Sequence, residues 1–519
     1  MSEIDPRIAD ALARLPDYLG SHVIVSVTAL ALGLAISLPL AILATRRAGL
    51  RWPLLAFASL IQTIPGLALL ALFYPLLLGV SALTEAVFGT GFSALGFMPS
   101  VIALTLYSML PVLRNTVTGI LGIDPAINQA ALGVGMTPRQ SLWMVELPLA
   151  LPVIMAGIRT SAVWVIGTAT LSTPVGQTSL GNYIFAGLQT QNWVSVLFGC
   201  VAAAVLALVV DQLLSLMESG VSQRKRLRVV AGALGLALAL AAALVPAYSR
   251  PTATYVVGAK TFTEQYILAA LIQQRLEANG LSSARRDGLG STVIFEALAA
   301  GEIDVYVDYS GTIWANHMRR TETKSREEVL AEMREWLRSE RGIELLGDLG
   351  FENAYALAMR RDHANELGIK TIDDLVRQAP QLAIGGDYEF FDRPEWAALR
   401  DAYGLRFRNR RQMDSTFMYG ALVNGDVDVI SAFSSDGRIA RFDLLVLEDP
   451  KQALPPYDAV LLASPRRAED QDLRRALSPI IGRIDVELMQ QTNLRADRDE
   501  DKETPAQAAR WLWEQIERR

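Results

Sequence analysis

The chain has 519 residues, 51% of them hydrophobic, and a formal net charge of −6. The charge is split unevenly, with 13 basic against 9 acidic residues in 1–250 and 35 against 45 in 251–519. So sharp a break marks two parts that face different solvents; the acidic half argues against a nucleic-acid partner, and one cysteine (Cys200) with three scattered histidines (His22, His317, His363) argues against a disulfide framework or a zinc site.

Residues 1–18 carry both signs of charge, and the apolar run after them is too long for a signal-peptide core, so no cleaved leader is expected. Six stretches are long and apolar enough to span a bilayer: roughly 21–44, 53–79, 97–119, 149–171, 193–217 and 229–247. No Asp, Glu, Lys or Arg lies between Arg159 and Asp211, and a charge at mid-bilayer costs at least ~2.5 kcal/mol. Arg46, Arg47 and Arg51 follow the first stretch; Arg114, Arg139 and Arg159 flank the third connection; Arg224, Lys225, Arg226 and Arg228 precede the sixth stretch. Residues 80–98 and 172–192 contain no Lys or Arg. Basic and non-basic loops thus alternate, which predicts cytoplasmic basic loops, an outside N-terminus and an outside second half; Arg7 and Arg14 dissent mildly. Proline and glycine inside the spans, as in Gln62-Thr63-Ile64-Pro65-Gly66 and Leu110-Pro111, predict kinks.

Residues 129–148 read QAALGVGMTPRQSLWMVELP, a small-residue pair, a glycine turn and a second helix start. Gly135 and Leu147-Pro148 stand at the spacing of the coupling loop of ABC importer permeases, which this segment resembles; Val145 replaces that pattern's isoleucine and Gln129 its glutamate. The resemblance implies that Gln129, Ala130, Ala131, Gly135, Leu147 and Pro148 form the contact with a separate ATPase subunit. No phosphate-cradling G-x-x-x-x-G-K-[ST] motif occurs in the chain.

From Tyr255 onward, short apolar runs alternate with helical patterns, which predicts parallel sheets wrapped by helices. ALAAGEIDV (297–305) is echoed by ALVNGDVDV (421–429). Each copy predicts a helix closed by a glycine, Gly301 or Gly425, and then a strand and a polar loop, 308–312 or 434–438. Two copies suggest two related lobes, with a ligand between them at the strand ends. The expected domains are a permease over 1–228, a sixth span and linker over 229–251, and a binding region over 252–519. Within the last, lobe 1 takes 252–355 and 458–519, and lobe 2 takes 356–457.

The motifs of this half are specific. Gly258-Ala259-Lys260-Thr261-Phe262-Thr263-Glu264-Gln265, Asp308-Tyr309-Ser310-Gly311-Thr312, Asn353-Ala354-Tyr355-Ala356-Leu357, Asp428–Phe433 with Asp436-Gly437-Arg438, and Pro455-Pro456-Tyr457 occur in that order. Together they resemble receptors for quaternary ammonium compounds, the glycine betaine, choline, carnitine and ergothioneine type. The resemblance implies an all-α membrane domain of about six transmembrane helices followed by a two-lobed α/β domain like the periplasmic binding proteins. A quaternary ammonium donates no strong hydrogen bond, so its receptor must surround it with aromatic faces, each contributing roughly 0.5–2 kcal/mol. The positions matching the family's cage are Tyr309, Tyr355, Tyr419 and Tyr457; Gln265, Thr292 and Asn353 match its polar positions. Lys260 and Arg393 are candidates for holding a ligand carboxylate, while Phe390, Phe391 and Trp396 read as lobe packing.

The expected function is the transmembrane and receptor subunit of an ATP-driven importer in the cell's inner membrane. It would work as a homodimer on cytoplasmic ATPase subunits, with its receptor outside and without cofactor or catalysis of its own. A ligand-gated sensor or channel would use the same binding domain but has no need of the 129–148 loop. An anchored extracytoplasmic enzyme would need a nucleophile–base pair or a metal set, and neither is evident.

Overall fold

Uncharged apolar runs in the first half can satisfy their backbone only as helices, and the computed structural model builds them so. It describes residues 5–89, 92, 94–190, 192–249, 254–320, 322, 324–388, 390–454, 456–498 and 500–519. The helices of the first half are α1 (Pro6–Arg46), α2 (Ala48–Thr63), α3 (Gly66–Phe88), α4 (Phe97–Leu121), α5 (Pro125–Gly133), α6 (Pro138–Ser141), α7 (Leu147–Ala169), α8 (Gly181–Gln189), α9 (Trp193–Ser222) and α10 (Arg226–Ser249). Among the described residues five helical stretches are long and apolar enough to cross a membrane, or six if α2 and α3 together make one span.

The stretch expected as one span over 53–79 is broken at the proline where a kink was expected: α2 and α3 meet at 104°. Pro65 has no N–H and disfavours helical backbone at the residue before it, and Ile64 is extended there (φ −74°, ψ 127°). The carbonyl of Ile64 accepts instead from the Tyr107 hydroxyl of α4, while Gln62 Nε2 donates to the Tyr107 carbonyl at 3.2 Å. Helix α4 packs against both α1 and α7 and buries most of its length. His22 is fully buried: its Nε2 lies 3.1 Å from the Ile166 carbonyl and its Nδ1 accepts from the Leu180 N–H, so it joins α1 to the region around α7. Arg159 and Asp211, which bound the uncharged run, pair with each other between α7 and α9 (Nε–Oδ1 2.5 Å, Nη2–Oδ2 2.9 Å). Pairing is what such charges require at membrane depth.

The chain divides into two units, Met1–Phe185 with Val194–Pro251 and Ala186–Trp193 with Thr252–Arg519. Within the second, ten strands form two five-stranded sheets: β1 (Tyr255–Gly258), β2 (Ser283–Arg286), β3 (Val305–Tyr309), β4 (Glu344–Glu352), β5 (Tyr355–Arg360), β6 (Ala383–Gly386), β7 (Asn409–Gln412), β8 (Val429–Phe433), β9 (Leu444–Val446) and β10 (Asp458–Ala463). The orders are β2-β1-β3-β10-β4 and β7-β6-β8-β5-β9. Both sheets are mixed, where wholly parallel ones were expected. In each, the strands linked through helices are parallel (β1 with β2 and β3, β6 with β7 and β8), whereas β10 and β5 run antiparallel to their neighbours. The cause is topological: β5 enters its sheet directly from β4, and β10 returns from the other sheet, so neither arrives by a helical crossover.

The echoed sequences occupy equivalent places. Gly301 and Gly425 have φ of +71° and +78° and sit after helices whose last turns are closed by Glu302 N–H to Ala297 O (2.8 Å) and Asp426 N–H to Ala421 O (2.9 Å). The aspartate of each copy then staples its strand to a neighbour: Asp304 accepts from Val256 N–H at 2.7 Å and Asp428 from Ala383 N–H at 2.8 Å. The strands that follow are β3 and β8; the polar loop after β8 borders the cleft through Ser435, Asp436 and Arg438, whereas the one after β3, 308–312, does not line it.

Candidate functional site

The cleft lies where the two sheets of the second unit meet, a volume of about 220 Å³. Its wall includes Lys260, Phe262, Glu264, Asn353, Tyr355, Arg393, Phe433, Asp436, Arg438 and Asp497. Direct chain crossings bring these together: β4 passes into β5 through Asn353-Ala354, and Asn353 N–H donates to the Tyr457 carbonyl at 2.9 Å. The β5–β8 register sets Tyr355 opposite Phe433, and their rings stand 4.8 Å apart. Phe262 stacks on Phe433 at 6.2 Å with planes 4° apart, so three aromatic side chains from two lobes share this wall.

Of the expected ligand contacts, Lys260, Asn353, Tyr355 and Arg393 line the cleft, while Gln265, Tyr309, Tyr419, Tyr457 and Thr292 do not border it. Gln265 donates to the Val307 carbonyl and the Tyr309 hydroxyl, both at 3.0 Å, and so fixes that tyrosine. Tyr309 donates to Glu264 Oε1 at 2.6 Å; burial, and then the Glu264 charge, push its phenol far above the usual range. Tyr457 is bonded through its hydroxyl to the buried Glu395, and its ring meets Tyr355 edge-on at 5.8 Å. A Cβ on Gly311 would stand 2.6 Å from the Tyr457 ring, which explains the glycine in Asp308–Thr312. Tyr419 is fully buried, with the Arg438 guanidinium 4.0 Å over its ring. Thr292 is exposed in the helix Ser291–Ala299, beside the cleft-lining Gly290 and Ser291. Phe390, Phe391 and Trp396 pack on one another at 5.3–5.6 Å, and Phe390 reaches Tyr355 at 5.5 Å. Pro455 lies outside the described residues.

The two candidate cations differ in surroundings. The Lys260 ammonium pairs with the fully buried Asp308, which also accepts from the Tyr306 hydroxyl and, at 2.7 Å, from Tyr309 N–H. A ligand carboxylate would have to compete with that aspartate. Arg393 lies 5.5 Å over the Tyr355 ring and 3.9 Å from the Glu395 carboxylate, at the cleft wall.

Glu264 is the feature that sequence reasoning passed over. Its Oε1 accepts from Tyr309 Oη (2.6 Å) and Asn353 Nδ2 (3.0 Å), and its Oε2 from Ser435 Oγ (2.6 Å) and Asn493 Nδ2 (2.9 Å). These donors come from both lobes, so the carboxylate ties them together. Burial pushes its pKa up, while the donors from Ser435, Tyr309, Asn493 and Asn353 pull it back. Asp497 is pushed up to about 6, by burial first, with the nearby Arg438 charge opposing. Glu264, Phe262, Phe433 and Arg438 lie inside the recognised motifs; Asn493 and Asp497, in the helix Val486–Asp497, carry no local signal. With Asp387 and Asp414 also on the wall, five carboxylates (Glu264, Asp387, Asp414, Asp436, Asp497) face three basic side chains (Lys260, Arg393, Arg438). Aromatic faces and surplus carboxylates favour an organic cation.

The second candidate surface is the 129–148 segment. Helix α5 is closed by Gly135 at φ +87°, with Met136 N–H donating to the Ala131 carbonyl at 3.1 Å, a geometry that requires glycine there. Ala131 is buried, whereas Gln129, Ala130, Gly135 and Pro148 are exposed and Leu147 is half-buried. Thr137 and Gln140 form a capping box that starts α6. Around them Leu132, Val134, Trp143 and Met144 are 58–76% exposed, an apolar surface of the kind that marks a docking site.

Residues 253–515 match the family described as the substrate-binding domain of ABC-type glycine betaine transport systems, and residues 37–223 match binding-protein-dependent transport system inner membrane components. The ergothioneine transport permease/ergothioneine binding protein of Helicobacter pylori (strain G27) is 28% identical over 461 residues, covering 86% of this chain and 80% of that protein. A choline transport system permease protein of Bacillus subtilis (strain 168) is 40% identical over 197 residues, 38% of this chain and 83% of its own. The glycine-betaine-binding protein of Pseudomonas aeruginosa (strain PAO1) is 33% identical over 270 residues, 49% of this chain and 85% of its own.

Proposed function

We infer how this chain works from its family: it belongs to the substrate-binding domains of ABC-type glycine betaine transport systems. It joins such a domain to an inner-membrane permease, which makes it a multi-pass membrane protein and an importer of betaine-type solutes. In our reading the solute is a quaternary ammonium compound, and its cation rests against Phe262, Tyr355 and Phe433 under the surplus of carboxylates. Tyr309, Tyr457, Tyr419 and Gln265 hold those groups in place from behind. Arg393 takes the ligand's carboxylate, because Lys260 already faces Asp308. Binding closes the lobes through Glu264, whose four donors span them. In this reading the receptor half works outside the membrane, which the alternation of basic and non-basic loops supports.

The chain has no phosphate loop, so we assign ATP hydrolysis to a separate cytoplasmic subunit docked on 129–148, with two copies of this chain forming the pathway. The observation that carries the solute assignment is the aromatic, net-acidic cleft. A thermal-shift panel of glycine betaine, choline, carnitine and ergothioneine on the purified full chain tests it. Stabilisation by one or more of these and not by size-matched neutral solutes is expected; no shift from any of them would overturn the assignment. Co-purification of an ATPase, lost on replacing Gly135 with valine, tests the coupling assignment.

A further inference from the structure

Between α6 and α7 the chain makes one π-turn, Leu142–Glu146, directly before Leu147-Pro148. The wider turn rotates Glu146 inward, and its side chain is 4% exposed. Its Oε1 accepts from the buried Ser141 Oγ at 3.1 Å, and its Oε2 accepts from Arg46 Nη2 at 2.6 Å. Arg46 is the last residue of α1, 100 positions away in the chain. Among the described residues this is the one side-chain hydrogen bond from 125–146 to a transmembrane helix other than α4 and α7, the two that the segment joins. One residue beyond Arg46 begins the turn into α2, and α2 leads to the bend at Pro65.

We propose that Arg46 and Glu146 are positioning residues that carry movement of the 125–146 segment into α1 and the broken α2–α3 helix, and so couple ATP turnover to opening of the pathway. The inference rests on the assignment of 129–148 as the ATPase contact. A carboxylate this buried is held by its cation at short range, so a displacement of the segment cannot leave the end of α1 behind without separating the pair. Without the tie, movement of the segment reaches α1 only through packing on α4 and α7, and reaches the bend at Pro65 only through α4, whose Tyr107 bonds Ile64 and Gln62.

The test is solute imported per ATP hydrolysed by the full complex in vesicles, for Glu146→Gln, Arg46→Gln, Arg46→Lys and the exchanged pair Arg46→Glu with Glu146→Arg. The ratio should fall at least ~5-fold in both Gln variants, the lower end of ordinary coupling energies. Arg46→Lys should keep it, and the exchanged pair should recover part of it. Thermal unfolding of each variant is recorded alongside. Uptake and hydrolysis falling in parallel at an unchanged ratio, with lowered thermal stability, would reduce the pair to a structural tie and overturn the proposal. Gln variants that transport at the wild-type ratio would also overturn it. A wild-type complex with no ATPase activity would overturn the coupling assignment itself, and the proposal with it.

Discussion

Replacing Tyr355 tests the reading of the cleft most sharply. Its ring lies 4.8 Å from Phe433, 5.5 Å from Phe390 and 5.8 Å from Tyr457, and it is 6% exposed. Truncation to alanine would remove a buried aromatic at a cost of about 3–5 kcal/mol and could unfold the lobe junction, so leucine and phenylalanine are the informative replacements. Leucine keeps most of the volume and removes the π face; phenylalanine keeps the face and removes the hydroxyl. One aromatic face on a desolvated cation is worth about 0.5–2 kcal/mol. Tyr355→Leu should therefore weaken glycine betaine binding roughly 2- to 30-fold, while Tyr355→Phe stays within ~2-fold of the wild type. Calorimetric titration of the purified full chain measures both. Equal affinities for the Leu and Phe variants would refute the argument, because volume alone would then account for the site.

Cation affinity should fall as pH drops through 6, because Asp497 on the cleft wall takes up its proton near there, and Asp497→Asn should flatten that dependence in the same titration. The sign for stability runs the other way. The folded state keeps this proton more tightly than an unfolded aspartate, so Asp497 lowers stability as pH rises from 3.8 to about 6, and Asp497→Asn should remove that slope in thermal unfolding. Lys260→Met should leave Asp308 buried without its cation and destabilise the receptor half by about 3–5 kcal/mol, read as a lower denaturation midpoint. Glu264→Gln sets an amide N–H₂ against one pair of the four donors and should cost roughly 1–3 kcal/mol, also read by denaturant titration. Gly437→Ala would set a Cβ 2.4 Å from the Leu494 backbone nitrogen and should destabilise by about 1–3 kcal/mol, with the same readout.

The membrane character of the first half was legible from composition, because the cost of burying charge in lipid acts on every residue of a span. The glycines at 135, 301 and 425 were legible too, since a left-handed backbone leaves a local chemical trace. The break between α2 and α3 was visible only as a proline among apolar residues. That the run turns through 104° at Pro65, with the Ile64 carbonyl accepting from the Tyr107 hydroxyl of another helix, is seen only in the tertiary structure.

The cleft shows the same division. Its motifs could be recognised one by one, yet the four tyrosines that looked alike in sequence have different surroundings. Tyr355 faces the cleft; Tyr309 and Tyr457 turn their hydroxyls to Glu264 and Glu395; Tyr419 carries Arg438 on its face. Those outcomes follow from strand register and from contacts across long sequence separations, such as Asn493 to Glu264 over 229 positions, which no local pattern encodes. Sequence by itself determined the solvents, the turns and the chemical vocabulary of this protein. Only the tertiary structure decided which side chains meet the ligand space, because that depends on how β5 and β10 cross between the lobes, and backbone topology sets which faces converge.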